Sequence, residues 1–191
     1  MLGFSVQYRD PGESGCNTST CLEMGVKSMA IDVPKPDFAS QEDWDYLMSV
    51  RNPDNIKSNA KADIDRIRRE GWPEDLATMG GAALLLTVAG RKSGLPRTTP
   101  VNYARYNDNV YVVGSIAGLD KHPVWALNLE SALKGKVEMP GEEWDFEARK
   151  LEGEEREDIW PKLDAQFPFW GHFQKYCERE FMVFLLTPAR S

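Results

Sequence analysis

The chain has 191 residues, of which 41% are hydrophobic and 28% are charged, as expected for one globular domain. Its net charge of −7 argues against a nucleic-acid-binding protein, which would present a strongly basic face. Three cysteines and two histidines at uneven spacing exclude a disulfide framework and disfavour a zinc site. Cys16 and Cys21 are close enough in sequence to form a redox pair, although two reduced bystander thiols are favoured.

Residues 1–36 are polar, contain glycine and serine, and end at Pro34 and Pro36, which predicts a flexible N-terminal arm. The sequence shows no signal peptide, so the cytoplasm is the predicted location. The longest apolar run, Ala82–Val88, is too short to span a bilayer. Contact with a membrane surface stays open.

Residues 37–79 are predicted to form helices that pack on the rest of the chain. Ser40 and Asp43 resemble a capping box at the start of a helix that ends near Val50. A second helix is predicted from Asn55 to Glu70, with Gly71 as its end. Its apolar residues recur at helical spacing: Ile56, Ala60, Ile64 and Ile67.

Residues 80–191 have the pattern of a β-domain with a few helices. The apolar runs and alternating segments predict six strands: Ala83–Ala89, Thr98–Tyr106, Val110–Ser115, Lys136–Met139, Trp144–Leu151 and Phe181–Thr187. Helices are predicted at His122–Ser131, opened by Pro123, and at Glu154–Phe167, broken or kinked by Pro161. Several antiparallel strands with few helices predict a barrel or a curled sheet.

Charge is unevenly distributed along this β-domain. No acidic residue occurs between Leu76 and Asn107, whereas ten occur between Glu138 and Asp158. The acid-free stretch holds a basic loop between two predicted strands, formed by Gly90, Arg91, Lys92, Ser93, Gly94, Leu95, Pro96 and Arg97. Cations beside glycines suit a phosphate group, because glycine lets backbone N–H groups approach the ligand. A solvated hairpin turn is the alternative, and the spacing is not that of a Walker loop.

The segment 84–100, LLLTVAGRKSGLPRTTP, resembles the signature of the deazaflavin (coenzyme F-420)-dependent nitroreductase family. A second segment, 114–129, GSIAGLDKHPVWALNL, resembles the family's second motif. The resemblance covers about residues 80–187. It implies a mainly β fold with flanking helices, a split β-barrel related to FMN-binding flavin reductases.

The resemblance also implies a cofactor site for coenzyme F-420, with its phosphate and oligoglutamate tail on the basic loop. The positions that match this site are Arg91, Lys92, Ser93, Gly94, Arg97, Pro100, Val101, Asn102, Gly114, Ser115, Lys121, Pro123, Trp125 and Asn128. Trp125 is equally suited to a core anchor, and Asn128 to a helix surface. No metal and no catalytic residue are implied.

The sequence departs from the family at several positions. Ile116 replaces a frequent lysine and His122 replaces the usual asparagine. Near the C-terminus, aromatic residues without an acidic hydroxyl occupy the tyrosine positions of nitroimidazole-activating relatives: Phe167, Trp170 and Phe173, with Phe169 beside them. These four rings are predicted to form an apolar wall for a flat hydrophobic substrate. The alternative is a cluster of core aromatics.

The predicted function is hydride transfer from reduced coenzyme F-420 to an electron-poor hydrophobic acceptor, namely an activated C=C bond, a quinone or a nitro compound. Two alternatives stay open: an FMN-dependent reductase on the same barrel, and a non-catalytic carrier of an apolar ligand. The chain is expected to act as a monomer or a dimer.

Overall fold

A computed structural model describes residues 32–72 and 82–190. Most of the predicted N-terminal arm, including Cys16 and Cys21, lies outside the described residues, as does the segment 73–81. The strands are β1 (Ala82–Ala89), β2 (Pro96–Tyr106), β3 (Asn109–Val113), β4 (Lys134–Met139), β5 (Glu142–Leu151) and β6 (Val183–Pro188). The helices are α1 (Gln41–Val50), α2 (Pro53–Glu70), α3 (Val124–Ala132), α4 (Gly153–Asp164) and α5 (Phe169–Gln174).

The six strands form one closed antiparallel barrel in the order β1-β2-β3-β6-β5-β4. β1 lies between β2 and β4, so that Leu85 pairs with Pro100 on one side and with Glu138 on the other. The predicted split β-barrel is therefore confirmed. β3 ends at Val113, two residues before the predicted end, because the chain turns after it into the loop that leads to α3.

One hydrophobic cluster fills the barrel interior. It is formed by inward-facing residues of the strands together with Ala126 and Leu129 of α3. Leu84, Val112, Val137 and Phe184 are each at most 1% exposed. Since α3 contributes to this cluster, it covers the end of the barrel next to β1 and β4.

A second cluster lies on the outer face of β2, β3 and β6, where α1, α4 and α5 cover the sheet. Trp44 of α1 stacks on Phe173 of α5 with ring centroids 5.8 Å apart. The capping box predicted for α1 is present, because the Asp43 N–H donates to Ser40 Oγ over 3.0 Å. α4 passes through Pro161 and ends at Asp164.

α2 is attached to the barrel by a bidentate ion pair between Arg68 and Glu138 of β4. The pair holds the pKa of the Glu138 carboxyl below its usual value, because the arginine donates hydrogen bonds to the charged form. No helix in the part of the chain that the structure describes is long and apolar enough to cross a membrane.

Candidate functional site

The basic loop predicted from the sequence is a tight turn that joins β1 to β2. The Gly90 N–H donates to the Leu95 carbonyl over 2.9 Å, and the Gly94 N–H donates to the Gly90 carbonyl over 2.7 Å. Gly94 has a φ of +67°, which glycine adopts without a steric cost. The loop is therefore a defined hairpin turn whose residues 91–95 are exposed.

The three cations of this loop, Arg91, Lys92 and Arg97, are all exposed, and none pairs with a carboxylate of residues 32–72 or 82–190. Five other surface cations each have an acidic partner: Arg68, Arg105, Lys136, Arg149 and Lys150. An unpaired group of cations on an acidic protein attracts an anion to one place.

Asn128 connects the basic loop to α3. Its side chain is 5% exposed, and its Oδ1 accepts a hydrogen bond from the Arg91 backbone N–H over 3.2 Å. Because α3 also packs into the barrel, this bond fixes the loop relative to the core. The alternative of a helix-surface residue is thereby excluded for Asn128.

The predicted positions on β2 divide between the two faces of the strand. The Val101 side chain lies in the interior cluster and is 7% exposed, so only its backbone can meet a ligand on the outer face. Neighbouring residues of a strand face opposite sides, so the Val101 side chain lies on the other face from Pro100 and Asn102. Pro100 and Asn102 lie on the outer face and are half-buried.

Asn102 is one register position from the Tyr103–Val112 pair, which brings it beside the end of β3 and the loop that follows. Gly114 and Ser115 begin this loop, and Lys121 and Pro123 end it at the start of α3. Gly114 leaves little room for a side chain, because a Cβ there would lie 3.2 Å from the Ala126 Cβ. Lys121 is exposed, whereas Trp125 is half-buried against the interior cluster.

Arg179 contacts this loop, although the sequence did not point to it. Its guanidinium donates to three backbone carbonyls: Gly114 over 3.0 Å, Ser115 over 2.5 Å and Leu119 over 2.7 Å. It also lies 4.7 Å from the centre of the Phe181 ring. Burial lowers the pKa of Arg179, while electrostatic interaction with Cys177 and Asp120 opposes that shift. No sequence pattern points to it, because its partners are carbonyls of any residue type.

His122 lies between the same arginine and solvent. Its Nδ1 is 3.4 Å from Arg179 Nη1, and its pKa is lowered first by burial and then by the positive charge of Arg179. It borders a half-open depression of about 320 Å³ with Lys150, Leu151, Glu152, Glu180, Phe181 and Met182.

The four predicted substrate-binding rings come together but are not exposed. The exposed fractions are 4% for Phe167, 3% for Phe169, 2% for Trp170 and 1% for Phe173. They pack on one another and on Trp44, so they form part of the outer cluster and not an open wall. Their burial favours the alternative of a cluster of core aromatics that the sequence left open.

The residues present fit an anionic, phosphate-bearing cofactor. The exposed basic loop offers guanidinium and ammonium groups, and the neighbouring β2 face and the 114–123 loop have half-buried polar and apolar positions. Within residues 32–72 and 82–190, no three histidine, cysteine, aspartate or glutamate side chains meet in a group able to hold a metal ion.

Comparison with known proteins gives two kinds of match. Residues 60–188 match the model of a family described as F420H(2)-dependent quinone reductase. A solved structure titled "Structure of F420-H2 Dependent Reductase (FDR-A)" is 32% identical, over 56% of this chain and 94% of that one, with a TM-score of 0.51. Another, titled "domain-swapped dimer", is 28% identical over 70% and 98% of the two chains, with a TM-score of 0.53.

Proposed function

Because the chain belongs to the F420H(2)-dependent quinone reductase family, we propose that its basic loop holds the phosphate and acidic tail of coenzyme F-420 while a hydrophobic quinone is reduced. As a member of this family, the protein is an oxidoreductase that uses reduced coenzyme F-420, which confirms the predicted enzyme class and cofactor. The quinone is one of the three predicted acceptor types and the one that the family description supports.

The observation that carries the proposal is the charge of Arg91, Lys92 and Arg97, which have no acidic partner among residues 32–72 and 82–190, on a turn that Asn128 fixes to the barrel. Arginine forks bind phosphate and carboxylate oxygens in a bidentate manner, and a lysine adds a compact positive charge. A fixed turn lowers the entropic cost of ordering these long side chains around an anion.

When bound, the cofactor supplies the hydride, a transfer of two electrons. The chain's own residues bind and orient the cofactor. We propose that Pro100 and Asn102 on the outer face of β2 meet the ring system, and that Gly114, Ser115, Lys121, Pro123 and Trp125 border it from the opposite side. Ser93 and Gly94 complete the phosphate turn, and Val101 takes part through its backbone.

Two other functions were predicted as alternatives, an FMN-dependent reductase and a carrier of an apolar ligand. Both would retain the barrel and its basic loop, because FMN also has a phosphate. The family match supports coenzyme F-420 over FMN, and the unpaired cations support an anionic ligand over a purely apolar one. A monomer or dimer stays the expectation for this chain.

The proposal is tested by fluorescence titration of the protein with coenzyme F-420, FMN and NADPH in parallel. We expect binding of coenzyme F-420, and we expect Arg91→Ala and Arg97→Ala each to raise its Kd on the order of tenfold. Lys175→Ala is the matched control, since it removes an exposed cation from the turn after α5. Equal affinities of all three variants and the wild type would contradict the role of the basic loop, and binding of FMN alone would contradict the cofactor.

A further inference from the structure

We infer that Arg179 is a positioning residue for the cofactor, acting through the loop from Gly114 to His122. This inference rests on the proposed function, because it assigns a role to a residue that touches the loop and not the ligand. Three observations support it: the strain in the loop, the hydrogen bonds that Arg179 makes to it, and the separate contacts of a second arginine nearby.

The loop has an unusual backbone. Ile116, Ala117 and Gly118 have φ angles of 45°, 48° and 70°, so three consecutive residues occupy the left-handed region. For a β-branched residue such as Ile116 this conformation is a true outlier, and such strain persists only where the surroundings hold it. Two bonds inside the turn contribute, from the Gly118 N–H to the Ser115 carbonyl and from the Leu119 N–H to the Ile116 carbonyl.

Arg179 adds support from outside the turn, beside the Gly114 N–H bond to the Met182 carbonyl and the packing of Phe173 on Gly118. Its Nη1 and Nη2 donate to the carbonyls before the strained residues, at Gly114 and Ser115, and its Nε donates to Leu119 after them. Because the five guanidinium donors lie in one rigid plane, a single group fixes the two ends of the turn relative to each other. A lysine could not do so, since its one nitrogen cannot reach the same carbonyls from two sides.

The loop that Arg179 supports lies at the proposed cofactor site. It begins next to Asn102 on β2, and it ends at Lys121 and Pro123 where α3 begins. α3 in turn bonds the basic loop through Asn128. Arg179 therefore determines the shape of one border of the site, while Asn128 holds the other.

Arg156 is a matched comparison within the same structure. It is buried, it donates to the Phe181 carbonyl over 3.4 Å, and it pairs with Glu180 over 3.0 Å, whereas Arg179 is half-buried. Its guanidinium lies over the Trp160 ring at 4.8 Å. None of these contacts involves the 114–122 loop. Arg156 therefore stabilises the segment just before β6 without shaping the site.

The test compares Arg179→Ala, Arg179→Lys and Arg156→Ala with the wild type. Hydrogen exchange of the free protein should show faster exchange of the 114–122 amides in both Arg179 variants and unchanged exchange there in Arg156→Ala. The Kd for coenzyme F-420 should rise on the order of 10- to 100-fold in Arg179→Ala, as expected for loss of charge-assisted hydrogen bonds. Arg179→Lys should recover only a small part of the affinity.

Added guanidinium ion at low concentration should restore affinity to Arg179→Ala and leave Arg156→Ala unchanged, an effect that a purely structural role would not produce. If Arg179→Ala does not fold, Arg179→Lys keeps the charge and gives the same comparison. Equal loss of affinity in Arg156→Ala and Arg179→Ala, with no rescue, would overturn the inference. If the wild type binds no coenzyme F-420, the proposed function fails, and amide exchange alone then decides whether Arg179 holds the loop.

Discussion

Single side chains act on the proposed site mainly through the backbone. Asn128 accepts from the Arg91 N–H, and Arg179 donates to the Gly114, Ser115 and Leu119 carbonyls. Both side chains are buried or half-buried, and neither needs to touch a ligand to shape the loops that do. A buried polar group that bonds a loop is costly to remove, because its partner loses a bond that water replaces poorly.

Asn128 provides a residue-scale prediction. Asn128→Ala should lower the free energy of unfolding by about 1 kcal/mol and weaken cofactor binding, because the basic loop loses its bond to α3. Asn128→Asp keeps the acceptor oxygen but adds a negative charge beside the loop, so it should weaken binding of an anionic cofactor further. Urea denaturation and fluorescence titration measure the two effects. An Asn128→Ala variant with wild-type affinity would show that the loop holds its shape without this bond.

At the scale of elements, α2 depends on a long-range ion pair for its position on the barrel. The Arg68 side chain is 55% exposed, while that of Glu138 is 12% exposed. Glu138 pairs in register with Leu85, at the centre of β1. The pair therefore joins a surface helix to the side of the barrel from which Pro100 of the proposed site also faces outward.

This ion pair has a predictable pH dependence. The folded-state pKa of Glu138 lies below its ordinary value of 4.5, so the pair stabilises the fold above about pH 4.5 and loses this effect as the pH falls through the folded-state pKa. Arg68→Ala should lower the free energy of unfolding by about 1 kcal/mol at neutral pH, given its exposure. The difference from the wild type should vanish in acid. Arg69→Ala removes the neighbouring arginine, which pairs only with exposed Glu70 among the described residues, and should have little effect at either pH.

At the scale of the whole molecule, two hydrophobic clusters share the barrel wall. The interior cluster closes the barrel with α3, and the outer cluster attaches α1, α4 and α5 to the opposite side of the strands. The aromatic segment 167–173 belongs to the outer cluster, where it meets Trp44 of α1. Its four rings are buried in this cluster and stabilise the attachment of the helices.

Substitution of a buried ring tests this assignment. Trp170→Ala should lower the free energy of unfolding by about 3 to 5 kcal/mol, because it leaves a large cavity in the outer cluster. Phe38→Ala removes a ring that is 56% exposed and should cost much less. Relative rates with quinones of different size should not change in either folded variant. If Trp170→Ala were stable and its preference among acceptors changed, these rings would be part of the substrate site and not of the core.

The sequence by itself determined the six strands, four of the five helices, the basic loop and the family, but not α5. Each of these depends on neighbours in the chain: alternation in β5, the capping box at Ser40, and the cations and glycines at 90–97. Such local patterns can be recognised in the sequence because secondary structure has a fixed period and turns need particular residues. Most element boundaries were therefore predicted to within about two residues.

Only the tertiary structure decided which side chains are covered and which are free. Sequence could not show that Phe167, Phe169, Trp170 and Phe173 are buried, that Val101 faces the interior, or that Arg179 reaches a loop about 60 residues earlier. The reason is physical: burial depends on what packs against an element, and a guanidinium bonds backbone carbonyls of any residue type. The residues that bind the ligand are proposed from short stretches of sequence. The shape of the site depends on contacts between residues that are far apart in the sequence.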